Sequence, residues 1–385
     1  MAGLDLTALD KVLKEVYVPA VREQMQKATI LLSQVQRSSE NITGEGKYAV
    51  VPLMLGYNEG IGARGDNEDL PTPKSSRYEK ILVPIVSNYG RIYVTGKAIR
   101  QTRSDTGAFV RAVDSEIKNM VTGLKRDINR QMFGDGSGTL ATVNGNQNSV
   151  NTIVVSSTQY FRVGMSIDIH ETTVISNREI TSINKVNSTI TIDGSAVNVT
   201  NGTVITRNGS KDKELYGLTN IVNNSNWLLN PSNVPEWSAN TETLPVSYTS
   251  QQLLDTLQKA YSACEEIGEE VPDIAITTFT IRDKYASALT TLRRIVNTLD
   301  LKYGFKGLDY NNMAIVADNQ CPSGVLYMLN TKHLLLSTAS DFDWADEDGK
   351  ILDKVAGKDA YTAYMYFDAQ LACDKRNVFA RVIGW

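Results

Sequence analysis

Two apolar, strand-like runs, "KYAVVPLMLG" (47–56) and "YEKILVPIVSNYGRIYVTG" (78–96), flank the polar stretch "YNEGIGARGDNEDLPTPKSS" (57–76). Ile81, Val83 and Ile85 alternate at the strand period. The stretch between the runs carries Gly60, Gly62, Gly65, Pro71 and Pro73 and is too polar to be buried. A connection of about 20 residues with no structure of its own is uncommon inside a compact domain. The two runs are therefore expected to pair as one long hairpin whose tip leaves the body of the subunit. A two-stranded hairpin is marginal by itself in water, so this one is expected to lie on a neighbouring chain.

Downstream, Phe109, Val113, Ile117, Met120, Leu124, Ile128 and Met132 keep a three- and four-residue spacing without a break, and Ser104 and Asp105 supply helix-start chemistry. A helix over 104–133 would be a rod of about 40 Å. Its opposite face carries Arg111, Asp114, Lys118, Lys125 and Arg126, and Gly123 is its weak point. The glycines of "MFGDGSG" follow this helix, at its negative end. A phosphate-binding loop instead follows a strand and opens a helix, so that N-terminal amides face the anion. Gly134 is thus expected to take the left-handed position that ends helices. Ahead of the hairpin, Leu9, Val12, Leu13, Val16, Ala20 and Val21 share one helical face interrupted by Pro19, and Ile30, Leu31, Leu32 and Val35 form a second apolar cluster. With little before it to pack on, this segment reads as an N-terminal arm.

From about 140 to 209 the composition changes. "TIVVSS", "MSIDIHE", "REITSIN", "STITIDG" and "TVITRNG" are five short strand candidates separated by Asn, Gly and Ser turns. Their spacing predicts a small β-barrel or sandwich inserted in a loop. A nucleic-acid-binding barrel needs stacking aromatics over a basic groove. This segment offers Tyr160 and Phe161 with scattered Arg162, Arg178, Lys185 and Arg207, so a contact or decoration domain is the expectation. Beyond an Asn- and Pro-rich connection the pattern is α/β. Leu253, Leu257, Tyr261 and Cys264 line one helix, "YASALTTLRRIV" is a second, and "DIAITTF", "NMAIVAD" and "GVLYMLN" read as strands.

The 385 residues suffice for two or three packed units. Lys and Arg total 39 against 43 Asp and Glu, a net charge of −4, so there is no sequence-wide basic surface for nucleic acid. No apolar run approaches the roughly 20 residues that span a bilayer, and the N-terminus lacks a secretory pattern. The expected place of work is a cytoplasm, or something assembled in one. Cys264, Cys321 and Cys373 are odd in number and far apart, which argues against a disulfide framework and a CxxC metal site. Of the two histidines, His333 sits in a strand pattern and is expected to be a packed or surface residue. "DFDWADEDGK" fails the calcium-loop template, because from Asp341 the fifth and sixth positions are Ala345 and Asp346. It is expected to be a solvated acidic loop with a hairpin turn at Asp348-Gly349. The pairs Glu265/Glu266 and Glu269/Glu270 are expected on the exposed side and end of a helix, away from any cleft. Nucleophile-elbow and HExxH motifs are missing, and no catalytic, metal or cofactor site is expected.

The ordered set of elements resembles the major capsid proteins of tailed bacteriophages, whose fold is shared with encapsulins and the herpesvirus capsid floor. The stretches that carry the resemblance are "GRIYVTGKAIRQT" leading into the long helix, "LKRDINRQMFGDGSG" at its end, and the final "YMYFDAQLACDKRNVFARVIGW". The resemblance implies an α+β capsid fold. Its parts would be an N-terminal arm (1–42), an E-loop hairpin with flanking strands (43–100), a peripheral-domain spine helix (101–139), an inserted small all-β domain (140–210) and a connection (211–249). An α/β axial domain (250–335), peripheral sheet strands (336–371) and a C-terminal strand returning to the axial domain (372–385) would follow. It also implies a structural role and no enzyme or cofactor. Copies would form hexamers and pentamers that close an icosahedral shell around double-stranded DNA, contacted non-specifically, and the shell would expand on packaging.

The partners implied are the chain itself, a separate scaffolding protein, a portal and cement proteins, with no membrane. The location implied is the virion, assembled in the host bacterial cytoplasm. The E-loop tip would lie on the adjacent subunit, and its charge mix marks Tyr57, Glu59, Arg64, Glu68, Asp69 and Arg77 as inter-subunit contacts. Some relatives cross-link an E-loop lysine to a neighbour's asparagine; Lys74 and Lys80 lie in that region, but no asparagine and glutamate can be placed beside them. The insertion would project from the outer surface or touch its neighbours across capsomers. Two other readings stand beside this one. One is an encapsulin-like nanocompartment shell around a cargo enzyme. The other is a soluble α/β enzyme with an added β-domain, which leaves the hairpin unexplained.

Overall fold

The computed structural model describes residues 29–43, 46–97, 106–223, 226–291, 298–301, 306–346 and 351–385; for 106–115, 291, 300 and 306 only the backbone is considered. The helical face around Pro19, the helix start at Ser104 and Asp105, and the turn at Asp348-Gly349 lie outside the described residues. The chain forms two compact units, Met1–Asn129 with Ile221–Trp385, and Arg130–Asn220.

In the first unit, β3 (Tyr48–Gly56) and β4 (Arg77–Pro84) pair antiparallel from Tyr48↔Pro84 to Gly56↔Arg77, and β2 (Ile42–Thr43) adds to β3. Strand alternation buries Ala49, Val51, Leu53, Leu55, Ile81 and Val83 and exposes Tyr48, Met54, Tyr78 and Leu82. The second apolar run is two strands rather than one. Pro84 cannot donate to a ladder; the chain breaks at Ile85, whose N–H donates to the carbonyl of Lys47 at 2.9 Å. β5 (Val86–Thr95) then joins a different sheet.

The centre of that second sheet is β22 (Ala360–Cys373), which pairs with β5 on one side and with β20 (Leu334–Trp344) and β21 (Asp353–Lys354) on the other. β1 (Gln36–Ser38) runs parallel to β20. It follows the short helix α1 (Ile30–Gln34), where Ile30, Leu31, Leu32 and Val35 are all buried. The long helix α2 (Thr106–Gln131) has 26 residues, about 39 Å at 1.5 Å per residue. It buries Ile117, Val121, Leu124 and Ile128 and exposes Lys118, Gly123 and Arg126, as the spacing predicts. Met120 and Leu124 approach β5 at Gly90, where a Cβ would strike the Met120 sulfur.

The helix stops where the glycines begin, but by a different device from the one expected. Gly134 has no left-handed backbone; its N–H closes a turn on the Gln131 carbonyl at 2.8 Å. Gly136 and Gly138 are the left-handed residues, with φ of 80° and 77°. They let the chain run against segment 210–216, where the Ser210 carbonyl would lie 2.6 Å from a Cβ on Gly138.

A seven-stranded sheet completes this unit. It comprises β14 (Asn240–Thr243), β15 (Ile274–Thr277), β16 (Thr298–Asp300), β17 (Lys306–Tyr310), β18 (Met313–Ala317), β19 (Val325–Leu329) and β23 (Ala380–Ile383). The spatial order is β14-β23-β19-β15-β18-β17-β16. β15, β18 and β19 are buried along their whole length, which is why they read as continuous apolar runs. Helices α3 (Ser250–Gly268) and α4 (Phe279–Thr291) share one core with this sheet, through Leu253, Leu257, Tyr261, Cys264, Ile281 and Tyr285 among others. A capping box starts α3: the Thr249 hydroxyl accepts from the Gln252 amide, and the Gln252 side chain accepts from the Thr249 amide.

The second unit is a closed barrel. Its strands are β6 (Thr139–Thr142), β7 (Gln147–Val150), β8 (Thr152–Val154), β9 (Ser166–Ile169), β10 (Ile175–Asn184), β11 (Thr189–Ile192), β12 (Val197–Val199) and β13 (Val204–Arg207). Six follow the order β6-β13-β9-β10-β11-β8. Val143 bridges Val155, and the N–H of Ser156 donates to the Thr142 carbonyl at 2.8 Å, which joins the last strand to the first. Ile153, Ile167, Ile169, Ile180, Ile190 and Ile205 fill the interior with no exposure, each contributing about 1.5–3 kcal/mol by burial. The five expected strands are all present. β7 and β12 pair as a separate ribbon.

Candidate functional site

The loop 57–76 is exposed throughout apart from partial cover at Gly60, Pro71 and Ser76, with Ile61 at 79% and Leu70 at 84%. Its tip is shaped by its own charges. The Arg64 guanidinium donates to the carbonyls of Asp69 and Ala63, both at 2.8 Å, and Glu68 accepts from the Gly65 amide at 2.7 Å. Its base is tied to the body of the same unit. The Tyr57 hydroxyl donates to Glu269 at 2.9 Å, and Arg77 donates to the Asn233 carbonyl at 3.2 Å. Glu59 and Asp69 are exposed on the loop. The six hairpin residues singled out in the sequence thus divide into a tip group and a base group.

Under that base lies a cavity of about 500 Å³, lined by the end of β3, Trp237, the last turn of α3, His333 and the 374–377 turn. Sequence reasoning missed it. His333 lies not in a strand but in a single 3-10 turn before β20. Its Nδ1 stands 2.9 Å from Asp374, and its Nε2 stands 2.9 Å from Glu270. Lys375 adds a third contact to Glu270 at 3.3 Å. The hydrogen bond to Asp374 raises the His333 pKa against the opposing effect of its burial, and Glu270 adds to the rise. Burial pushes Glu270 upward, but the hydrogen bonds and charges of His333 and Lys375 outweigh it and hold the carboxyl below its ordinary range.

The Glu269/Glu270 pair therefore lines a cleft, contrary to expectation. Glu269 is the left-handed C-cap of α3, with φ of 58°, and that reversal aims the pair sideways into the cavity instead of outward along the helix. Behind it, Arg376 is fully buried and donates to the carbonyls of Ile221 at 2.7 Å and Trp237 at 3.0 Å. Its guanidinium also lies 5.5 Å from the Trp237 ring centre, fixing the turn that presents Asp374 and Lys375.

The other sequence candidates have structural places. Cys264, Cys321 and Cys373 are buried, and burial pushes the Cys264 thiol up to about 12, far from a nucleophile's range. The acidic run is not a loop at its start: Asp341 to Trp344 belong to β20, with Phe342 and Trp344 buried because alternation turns them inward.

No family model matches the sequence, and no curated protein matches it. Solved structures do. A chain of the cyanophage A-1(L) capsid asymmetric unit superposes with a TM-score of 0.54 at 10% identity, covering 95% of this chain and 93% of that one. The chain has the fold of tailed-phage capsid proteins. A chain of Gordonia phage Cozz aligns on this capsid fold with a TM-score of 0.50 at 12% identity, covering 93% and 87%. The holo-SrpI encapsulin complex from Synechococcus elongatus PCC 7942 gives 0.48 at 9% identity over 92% and 86%.

Proposed function

We propose that this chain is the major capsid protein of a tailed bacteriophage. Copies assemble into hexameric and pentameric capsomers that close an icosahedral shell around double-stranded DNA. The observation that carries the reading is the capsid likeness over 95% of the chain. The exposed hairpin supports it, since Ile61, Leu70, Met54, Tyr78 and Leu82 leave apolar surface on a projecting two-stranded element. In this reading 57–76 is the E-loop tip on the adjacent subunit, with Tyr57, Glu59, Arg64, Glu68, Asp69 and Arg77 at or near that contact. α2 is the spine of the peripheral domain, the seven-stranded sheet with α3 and α4 is the axial domain, and the barrel is an insertion facing outward or toward other capsomers. A separate scaffolding protein, a portal and cement proteins are the further partners, and the net charge of −4 suits a container for DNA that is not gripped.

Light-scattering mass with negative-stain microscopy of the expressed protein tests this. Megadalton rings, capsomers or shells are expected, alone or when a scaffolding protein is co-expressed. A chain that stays monomeric in both settings is not a shell protein. Particles filled with a cargo enzyme in place of DNA would move the reading to a nanocompartment.

A further inference from the structure

Asn129, in the last turn of α2, and Asp318, directly after β18, meet side chain to side chain across 189 residues of sequence. Each is 6% exposed. The Asn129 Nδ2 donates to both carboxyl oxygens of Asp318, at 3.0 and 3.1 Å, and the Gln320 amide donates to one of them at 2.8 Å. The Asp318 backbone is held as well, since its N–H donates to the Thr277 carbonyl of β15 at 2.8 Å. The contact fastens the end of α2, which packs on β5, to the seven-stranded sheet.

Two things are missing from this pair. The first is a counter-charge. Burial raises the Asp318 pKa and outweighs the hydrogen bonds from Gln320 and Asn129, with no charged side chain among the causes. Cys321, in the turn that follows, is a thiol that burial keeps neutral, and β15 presents the neutral Thr277. On α2, Lys125 and Asp127 are half-buried, Arg126 is exposed, and Arg130 pairs with Glu214 at 2.6 Å. The second is a donor: Asn129 Oδ1 is buried with no hydrogen-bond partner. A proton on Asp318 answers both. The neutral carboxyl donates its O–H to Asn129 Oδ1 and accepts from Nδ2 on its other oxygen, after a small turn of the amide about χ2. One shared donor becomes two separate bonds, and the last buried acceptor is satisfied. An ionised carboxyl has acceptors only, so it leaves Oδ1 without a donor.

We propose that Asn129 and Asp318 form a proton-controlled latch, closed while Asp318 holds a proton taken from solvent and loosened at the end of α2 when that proton is lost. The contact lies inside one protomer and does not depend on the shell function. Asp318 binds its proton more tightly in the folded chain than in the unfolded one. The latch therefore contributes fully below the ordinary value of 3.8 and is lost as pH rises through the raised one.

The test is hydrogen exchange read by mass spectrometry on the full chain from about pH 4 to about pH 8.5. The peptides that report are those from the end of α2 and from β18 with its following turn. Asp318→Asn fixes the neutral bonding pattern, since its amide donates to Oδ1 and accepts from Nδ2 at any pH. Comparing it with the natural chain at each pH cancels intrinsic exchange and the titrations both share, His333 included. Equal protection is expected on the acid side, and about three- to tenfold faster exchange in the natural chain once Asp318 ionises. In an Asn129→Leu background, where neither bond forms, the same comparison is expected to show no pH dependence. The proposal is overturned if the natural chain becomes the better protected as pH rises, if the ratio is constant across the range, or if its pH dependence survives Asn129→Leu.

Discussion

His333 links the segment after β22 to the end of α3 by meeting Asp374 and Glu270 with its two ring nitrogens. The contact has a defined pH dependence. His333 is raised above its ordinary 6.5 by its partners, so its stabilising contribution is complete below that value and is lost as pH rises through the raised one. Glu270 is lowered from 4.5, so its contribution is present above 4.5 and is lost as pH falls through the lowered value. The link is therefore strongest between the two. Lys375, Glu269, Glu236 and Tyr57 also face this cavity. Melting temperatures of the protein and of His333→Gln, compared from about pH 5.5 to about pH 8.5, should converge on the alkaline side. The acid-side advantage of the natural residue should be about 0.5–1 kcal/mol, since Asp374 and Glu270 are each about a third exposed and solvent screens them. A gap that widens with rising pH would reverse the assignment.

At the scale of elements, two glycines allow close approaches of different stiffness. A Cβ at Gly217 would lie 2.5 Å from the backbone carbonyls of both Gln131 and Met132, where the end of α2 and the returning chain are fastened. Backbone cannot rotate away, so Gly217→Ala should cost about 1–3 kcal/mol. Gly90→Ala meets the Met120 side chain, which can change rotamer, and should cost less than Gly217→Ala in the same denaturant melt. These sites also show what a sequence can reveal. The buried stripe of α2 and the isoleucine alternation of β11 were legible because a period of 3.6 or 2 is written in neighbouring residues. β7 and β12 were not. Their residues are largely Asn, Gln, Ser and Val, and side-chain bonds help fix the ribbon, such as the Ser149 amide donating to Asn198 at 2.7 Å. The His333 cluster was invisible for another reason: its partners lie 41 and 63 residues away, and only the left-handed cap at Glu269 and the Arg376-anchored turn bring them together.

At the scale of the whole molecule there are two compact units, and the smaller, with its own apolar core, has the features of a unit that folds on its own. A closed barrel leaves no open edge among its six strands. The two ends of the unit are fastened to each other: the Leu218 amide donates to the Met132 carbonyl at 2.9 Å, and the Thr219 hydroxyl donates to the Phe133 carbonyl at 2.6 Å. Arg130 and Glu214 pair at 2.6 Å, both almost fully buried. Residues 130–220 expressed alone are therefore expected to give one cooperative thermal transition and a well-dispersed amide spectrum. Glu214→Ala in that fragment leaves the Arg130 charge buried without its carboxylate and should cost about 3–5 kcal/mol. The same substitution in the full chain should lower the transition of the barrel and leave that of the larger unit in place, because the two units share no sheet among the described residues. A fragment without a cooperative melt, or one melting event for the whole chain that Glu214→Ala shifts as a block, would mean that the two units fold as one.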